Sequence, residues 1–366
     1  MRVLLLDEGF ISGTVTARGL QRAGCSVDVI AATGGRGRCI VGENSWRLGP
    51  RVGDPRLIDV IDAAARRSEY DIIYPITEPL QWLIWDERPA WEKLVFPTVD
   101  NRLRAARRDK RRMSELVAAA GITTPRQVPA TSEADVDLAA RDLGLPLVIK
   151  GTTGRGGNAT RICASLDAAR AAANRLISRG CVPFAQTYVA GVTYLAGGLF
   201  DAGRALRFYA RAKTLQYPSR VGPAAEITSV DDPTLTALAT RVFAAANVSG
   251  IASIDLVRGA TGQFHFLELN PRPWGSIEAA LDAGLDLFDA LARLWRSEPV
   301  CPQLDFQQNV RTPVFPLYMF AVPYWRSGGA ARALLPDVRR ALTLAHDEPA
   351  LASHIMHRLV RVGLNW

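Results

Sequence analysis

Residues 250–276 read GIASIDLVRGATGQFHFLELNPRPWGS. Two apolar runs flank a glycine-containing turn, and each run ends in oxygen-bearing side chains. With a four-residue connection over 259–262, Arg258 pairs with Gln263 and Asp255 lies opposite Phe266, so that Asp255, Glu268 and Asn270 share one face of a hairpin. Asp255 and Glu268 are then diagonal neighbours, about 7–8 Å apart at the backbone, a gap that a hard cation bridges. Three oxygen donors with no Cys or His among them favour Mg2+ or Mn2+ over Zn2+. An ordinary half-buried hairpin with solvated acids carries the same D…E-x-N pattern, so the rest of the chain has to decide between the two.

At 366 residues the chain is long enough for two or three layers of structure. Its 48% hydrophobic and 22% charged content is that of a soluble, enzyme-sized globular protein rather than a disordered or fibrous one. Residues 1–6 are apolar but are interrupted at once by Asp7 and Glu8, which reads as a first β-strand and not as a signal peptide. Residues 313–325 are apolar and aromatic, yet short and broken by prolines, which argues against a membrane span. Cys25, Cys39, Cys163, Cys181 and Cys301 are scattered and form no C-x-x-C pair, so a reduced, cytoplasmic setting without zinc or disulfides is expected.

The formal net charge of +8 raises the question of nucleic acid. Nearly all of the positive charge is arginine: the lysines are Lys93, Lys110, Lys150 and Lys213. Against that background a lysine needs explaining. Its compact ammonium suits a point contact to a phosphate, where the broader guanidinium fork fits less readily. Lys93, between Glu92 and Leu94, reads as a surface residue.

Along the chain, residues 3–6 read as a strand, 14–23 as a helix stopping at Gly24, 26–31 as a strand, 55–67 as an amphipathic helix and 71–76 as a buried strand. This alternation predicts a parallel α/β unit over about residues 1–100. Its first turn, DEGFISG from Asp7, lacks G-x-G-x-x-G and gives a dinucleotide site little support. Loops after the carboxyl ends of such strands hold ligands, which makes Glu8 and Glu78 either substrate contacts or solvated loop acids. Residues 101–121 read as one helix whose arginine-rich first half forms a solvated face, without an aromatic platform for nucleic acid. A helix over about 132–143 and a strand over 145–150 follow.

That strand runs into KGTTGRGGNAT, residues 150–160. Gly154, Gly156 and Gly157 with two threonines allow backbone N–H groups to turn toward a polyphosphate, while Lys150 adds charge at the strand end. The lysine precedes the glycines and G-K-[ST] is absent, so this is no Walker loop; a plain flexible hairpin has the same composition. Residues 182–189 read as a strand through Gln186, 193–200 as another, and 207–213 alternate apolar or aromatic with basic residues. Residues 217–223, with two prolines and a glycine, read as a flap.

Taken in order, these pieces resemble the ATP-grasp superfamily, in particular its carboxylate-amine ligase branch. The matching series is Asp109-Lys110, Lys150 before the glycine-rich loop, the strand and turn over 186–191, Asp255, and Glu268-Leu269-Asn270-Pro271-Arg272. It covers about residues 100–290. The resemblance implies an N-terminal parallel α/β unit (1–105), a two-subdomain α+β ATP-grasp fold with a small subdomain (106–182) and a large one (183–300), and a C-terminal extension (301–366). It further implies that Lys110, Lys150 and the loop glycines contact ATP phosphates, that Gln186, Tyr188, Val189 and Leu267 surround the adenine, and that Asp255, Glu268 and Asn270 hold Mg2+ or Mn2+. Thr193 stands where many relatives carry a glutamate for the ribose hydroxyls. Ser253 stands where some ligases carry an arginine, which leaves substrate recognition to Arg211, Lys213, Arg220 and Arg272.

The implied activity is ATP-dependent activation of a small-molecule carboxylate as an acyl-phosphate, followed by attack of an amine to form an amide or peptide bond, in a peptide or a specialised metabolite. Other ATP-grasp chemistry such as carboxylation, and a non-catalytic nucleotide- or nucleic-acid-binding protein, are the competing readings. Neither a nucleic-acid partner nor a membrane is expected. His265 reads as a packed or surface residue, and His354 and His357, which share a helix face without a third ligand, read as structural. Residues 314–322 read as an edge strand and 332–340 and 351–362 as helices, which either cap the ATP-binding unit or form the surface of a homodimer.

Overall fold

In a computed structural model of the chain, the structure describes residues 1–34, 37–41, 44–154, 157–216 and 222–314. Gly156, Arg220, most of the expected flap, and the C-terminal helices with His354 and His357 lie outside the described residues, as does all but the first residue of the strand expected over 314–322. Among the described residues no helix is long and apolar enough to cross a membrane.

The N-terminal unit contains β1 (Arg2–Asp7), α1 (Ile11–Arg22), β2 (Ser26–Ala31), β3 (Gly37–Val41), β4 (Asn44–Leu48), α2 (Arg56–Arg67), β5 (Ile72–Pro75) and α3 (Glu78–Glu87). The sheet order is β3-β4-β2-β1-β5, parallel except for the β3–β4 pair. Val3 to Leu6 are buried on both faces, as a central parallel strand between helices requires. The antiparallel β3–β4 edge hairpin was not legible in the sequence. Helix α1 packs on α10 (Leu287–Trp295) closely enough that a methyl group on Gly19 would collide with the Phe288 ring. This contact joins the first unit to the large sheet through one continuous core.

The single helix expected over 101–121 is two: α4 (Asn101–Arg108) and α5 (Lys110–Ala119). Asp109 adopts an extended backbone between them, and its carboxylate accepts from the N–H groups of Arg111 (2.8 Å) and Arg112 (3.2 Å). An N-cap aspartate satisfies donors that the helix start would otherwise leave orphaned. The Lys110 N–H donates instead to the Thr152 carbonyl at 3.0 Å, which fixes α5 against the glycine-rich segment. Arg104, Arg107 and Arg108 of α4 do not form a solvated face. Arg104 pairs with Glu92, Arg108 pairs with Asp86, and both lie over the Trp85 ring, while Arg107 is buried and donates to the Ala246 and Asn247 carbonyls.

A small antiparallel sheet follows, built from β6 (Gln127–Pro129), β7 (Leu147–Gly151), β8 (Thr160–Cys163) and β9 (Pro183–Thr187) in the order β6-β9-β7-β8. Helices α6 (Glu133–Leu143) and α7 (Leu166–Ile177) pack Val136, Ala139, Ala169, Ala173 and Leu176 onto Leu147, Ile149 and Ala185. Ser132 and Asp135 form a reciprocal capping box at the start of α6. Strand β9, assigned from sequence to the large subdomain, hydrogen-bonds in this small sheet.

The large sheet, order β14-β13-β10-β11-β12-β15, consists of β10 (Gly191–Asp201), β11 (Arg204–Gln216), β12 (Ala224–Ser229), β13 (Gly250–Gly259), β14 (Phe264–Asn270) and β15 (Arg311–Pro313). Helix α8 (Pro233–Ala245) covers one face, where Phe243 stacks on Phe200 with ring centroids 3.8 Å apart. The short α9 (Glu278–Asp282) and α10 follow β14. The face away from α8 carries the candidate site.

Candidate active site

The hairpin β13–β14 forms with a register different from the expected one. Arg258 pairs with Phe264, not Gln263, and Leu256, not Asp255, faces Phe266. A one-residue shift of this kind would send Glu268 to the opposite face from Asp255. A bulge between Asp255 and Leu256 cancels it: Leu267 is the extra residue, and Asp255 pairs directly with Glu268. Phe266 thereby turns into the helix-covered core, fully buried, while Glu268 and Asn270 turn to the other face. The two carboxylates are directly opposed neighbours rather than diagonal ones.

Across the sheet, Glu268, Asp255, Leu195, Arg211 and Ser229 form one lateral row, and Asn270, Ser253, Gly197 and Tyr209 form the next. Lys213 lies two residues beyond Arg211 on the same side of β11. Its ammonium donates to Asp255 Oδ2 at 2.7 Å, and the Lys110 ammonium donates to Glu268 Oε2 at 2.7 Å. The Asn270 amide donates to Asp255 Oδ1 (3.3 Å) and Glu268 Oε1 (3.4 Å). Lys150, at the end of β7 and only 8% exposed, faces the same acids from the small sheet. Burial pushes its ammonium down to about 8, with Lys110 and Lys213 adding to the shift and Glu268 and Asp255 opposing it. Burial pushes the Glu268 carboxyl up, but the Lys110 and Lys150 charges outweigh burial and hold it well below the ordinary carboxylate range. Three of the four lysines of the chain thus converge on one pair of acids, whereas Lys93 is exposed.

Arg272 donates to Glu78 Oε2 at 2.7 Å and to Asn270 Oδ1 at 3.1 Å. Glu78 is therefore a half-buried ion-pair partner and not a solvated loop acid. Gln81 of α3 reinforces this junction by donating to the Pro75 and Pro271 carbonyls. The first unit thus clamps the turn after β14. A cavity of about 330 Å3 opens between the two, lined among others by Glu78, Trp82, Lys110, Met113, Asn158 and Asn270. Thr152, Thr153 and Gly154 form another of its walls. Gly154 has φ +122°, and a methyl group there would lie 2.5 Å from the Ala159 Cβ, so this bend requires glycine. Gly157, at φ 76°, completes the described part of the loop.

Gln186 is buried on β9, Tyr188 and Val189 follow it half-buried, and Leu267 sits at the bulge; among the described residues none of these lines the cavity. Thr193 is on β10, paired with Val257. His265 is half-buried, its imidazole pushed down by burial, and it faces Val257. Arg211 is 0% exposed, and Trp274, just beyond Arg272, covers it with the ring centroid 4.5 Å from the guanidinium carbon. Neither Trp274 nor Trp82 was singled out from sequence; the adjacency of Trp274 to the N-P-R motif was the only available signal.

A family model described as an ATP-grasp domain matches residues 107–276. The chain is 33% identical over 200 residues to a D-alanine--D-alanine ligase of Chromohalobacter salexigens, an alignment covering 50% of this chain and 62% of that protein. It spans about three fifths of the length of the curated relatives it matches. An L-amino acid ligase from Bacillus licheniformis superposes with a TM-score of 0.65 at 16% identity, over 82% of this chain and 78% of that one. A biotin carboxylase from Campylobacter jejuni superposes with a TM-score of 0.66 at 17% identity, over 84% and 74%. At such identities the structures speak for the fold, and the sequence match speaks for the region that carries the lysines and the acids. Residues 107–276 of this chain are an ATP-grasp domain, set in an ATP-grasp fold.

Proposed function

We propose that the protein is an ADP-forming carboxylate-amine ligase. The observation that carries this reading is the convergence of Lys110, Lys150 and Lys213 on the opposed Asp255–Glu268 pair, beside the Thr152–Gly154 bend. The lysines are a phosphate-binding set held in place by the acids until a nucleotide arrives. The strand and turn around Gln186, Tyr188 and Val189, with Leu267 opposite, take the adenine, and Thr193 lies toward the ribose. We further propose the division into units over 1–105, 106–182, 183–300 and 301–366, with β9 as a strand shared in the small sheet.

The donor set fits a hard cation. Asp255 and Glu268 supply carboxylates; Asn270, whose NH2 faces them while its Oδ1 accepts from Arg272, would supply an amide oxygen once the amide turns over, and among the described residues no group of three or more His, Cys, Asp or Glu is placed to hold a metal alone. Three such oxygen donors would leave an ion open positions, which suits Mg2+. When bound, Mg2+ or Mn2+ supplies positive charge to the β- and γ-phosphate oxygens.

The remaining work falls to the chain's own groups. Lys110, Lys150 and Lys213 bind the phosphates and hold charge that develops as a substrate carboxylate oxygen attacks the γ-phosphorus and the bond to ADP breaks. Arg272, oriented by Glu78 of the cavity wall, is the cation for the acyl-phosphate. An amine nitrogen then attacks the acyl carbon, phosphate leaves, and the nitrogen loses its proton. Positioning and electrostatics suffice, and no Ser or Cys nucleophile is required.

A matrix of carboxylic acids against amines, read by ADP release and by mass detection of product, tests the reading. Lys150→Ala and Glu268→Ala are expected to abolish substrate-dependent ADP release while the fold persists; unchanged turnover in either would refute the site. ADP release that requires bicarbonate and no amine would replace ligation with carboxylation.

A further inference from the structure

Among the described residues Arg211 is one of the largest fully buried side chains, and its charge has no ion-pair partner there. Its Nε and Nη1 are buried and lack any hydrogen-bond acceptor, and it makes no ion pair among the described residues. Its guanidinium lies between the Tyr209 ring (5.3 Å) and the Trp274 ring (4.5 Å). The Tyr209 hydroxyl and the Trp274 indole N–H are buried and have no hydrogen-bond partner among the described residues either. Two acids lie close enough to act on this cluster. Asp255 is already bonded to Lys213 and Asn270, and Asp282 acts on Tyr209. Stacked rings soften the desolvation of a guanidinium but do not satisfy its N–H groups. A buried cation with open donors, next to two further open donors, is costly unless something completes it.

We propose that Arg211, in the same lateral row as the Asp255–Glu268 pair, forms a carboxylate-binding subsite with Tyr209 of the next row and Trp274. As the seat of a substrate carboxylate that is not the one being activated, it rests on the ligase reading above. The charge balance selects a carboxylate over a phosphate. One guanidinium and two neutral donors neutralise a monoanion in bidentate fashion, but leave a phosphate dianion uncompensated among apolar neighbours such as Leu195 and Ile227. The phosphate-binding charge lies instead with the three lysines. Because Arg211 is 0% exposed with the Trp274 ring over its guanidinium, the subsite is reached when the indole shifts. Gly275, exposed and with open space where a side chain would begin, follows Trp274 directly. The same placement accounts for Ser253: the cation that recognises the substrate comes from β11 instead of from β13.

Thermal melting with sodium acetate replacing sodium chloride at constant ionic strength tests the subsite. The wild-type midpoint should rise with acetate, because a ligand bound only to the folded state stabilises it. Arg211→Met should melt no lower than wild type in chloride, having lost an unpaired buried charge, and should show no acetate-dependent rise. Tyr209→Phe should keep the rise but need roughly tenfold more acetate for half its extent. No rise in the wild type, or an equal rise in Arg211→Met, overturns the proposal. So does a lower midpoint of that variant in chloride, which would make Arg211 a structural cation. If Arg211→Met does not fold, an unchanged half-effect concentration in Tyr209→Phe overturns it. Weakened binding of a non-hydrolysable ATP analogue to Arg211→Met, with the acetate effect intact, assigns the arginine to a phosphate and also overturns it. Absence of ADP release across the acid and amine matrix, with the acetate pattern as expected, defeats the ligase reading and leaves the anion subsite standing.

Discussion

Glu268→Gln keeps the size of the side chain and an acceptor for Lys110 but removes the charge that pairs with Lys110 and faces Lys150. Lys110 and Glu268 are 21% and 24% exposed, and their contact is 2.7 Å. The gross attraction of such a pair near a protein surface is ~4 kcal/mol at 4 Å. Solvent reaching a fifth to a quarter of each side chain, and the freedom of Lys110 to turn toward water, reduce this to a net loss of ~1–3 kcal/mol, largest if Lys150 stays charged. In a protein of 366 residues that corresponds to a fall of about 1–4 °C in the melting midpoint. The sign with pH follows from the shift. The carboxyl is held below its ordinary value of 4.5, so the difference between wild type and variant is fully present above that pH. It shrinks as pH falls toward the folded value and the wild-type carboxyl takes up its proton. Melting curves of both proteins between pH 8 and pH 4, together with ADP release at neutral pH, measure the effect. A variant as stable as wild type at neutral pH, or a difference that grows toward low pH, would refute the electrostatic account of this cluster.

Lys150, with its ammonium lowered to about 8 by burial, should lose charge between neutral pH and pH 9, so ATP affinity measured by calorimetry should weaken across that interval, and Lys150→Arg should flatten the profile. Over the same interval the lysine's contribution to stability has the opposite sign: the unfolded chain binds this proton up to its ordinary value of 10.5, and burial of the ammonium becomes less costly as pH rises through about 8. Gly154→Ala should destabilise the loop by ~1–3 kcal/mol, since the substitution meets both φ +122° and the Ala159 Cβ; a larger loss in ATP affinity than in melting midpoint is the expected pattern, and equal affinity would sink the loop's assigned role. Asp109→Ala should cost ~1 kcal/mol through loss of the N-cap of α5, read by chemical denaturation.

Much of the site was legible because its signals were chemical. Lysine is rare in this chain, so Lys110, Lys150 and Lys213 stood out against the arginines, and D…E-x-N in a hairpin named the acids. The geometry between them was not legible. A bulge at Leu267 depends on what packs on each face of the sheet: Phe266 is drawn into the core under α8, and the ladder must lose a residue to keep Glu268 beside Asp255. The break at Asp109 is local, and an aspartate before a run of basic residues is a recognisable cap, yet the uninterrupted helical periodicity around it concealed the boundary. The α4 arginines read as a solvated face because their partners, Glu92, Asp86, Trp85 and the Ala246 carbonyl, come from other segments.

Sequence alone therefore determined the class of fold, the order of the candidate lysines and acids along the chain, and the shared face of Glu268 and Asn270 on their strand, because these follow from residue chemistry and two-residue alternation. Tertiary structure alone decided that Arg272 is tethered to Glu78, that α4 is a structural tie and that Arg211 is buried without an ion-pair partner among the described residues. Each of these depends on groups brought together from distant parts of the chain, and burial and ion pairing exist only once those groups are in place.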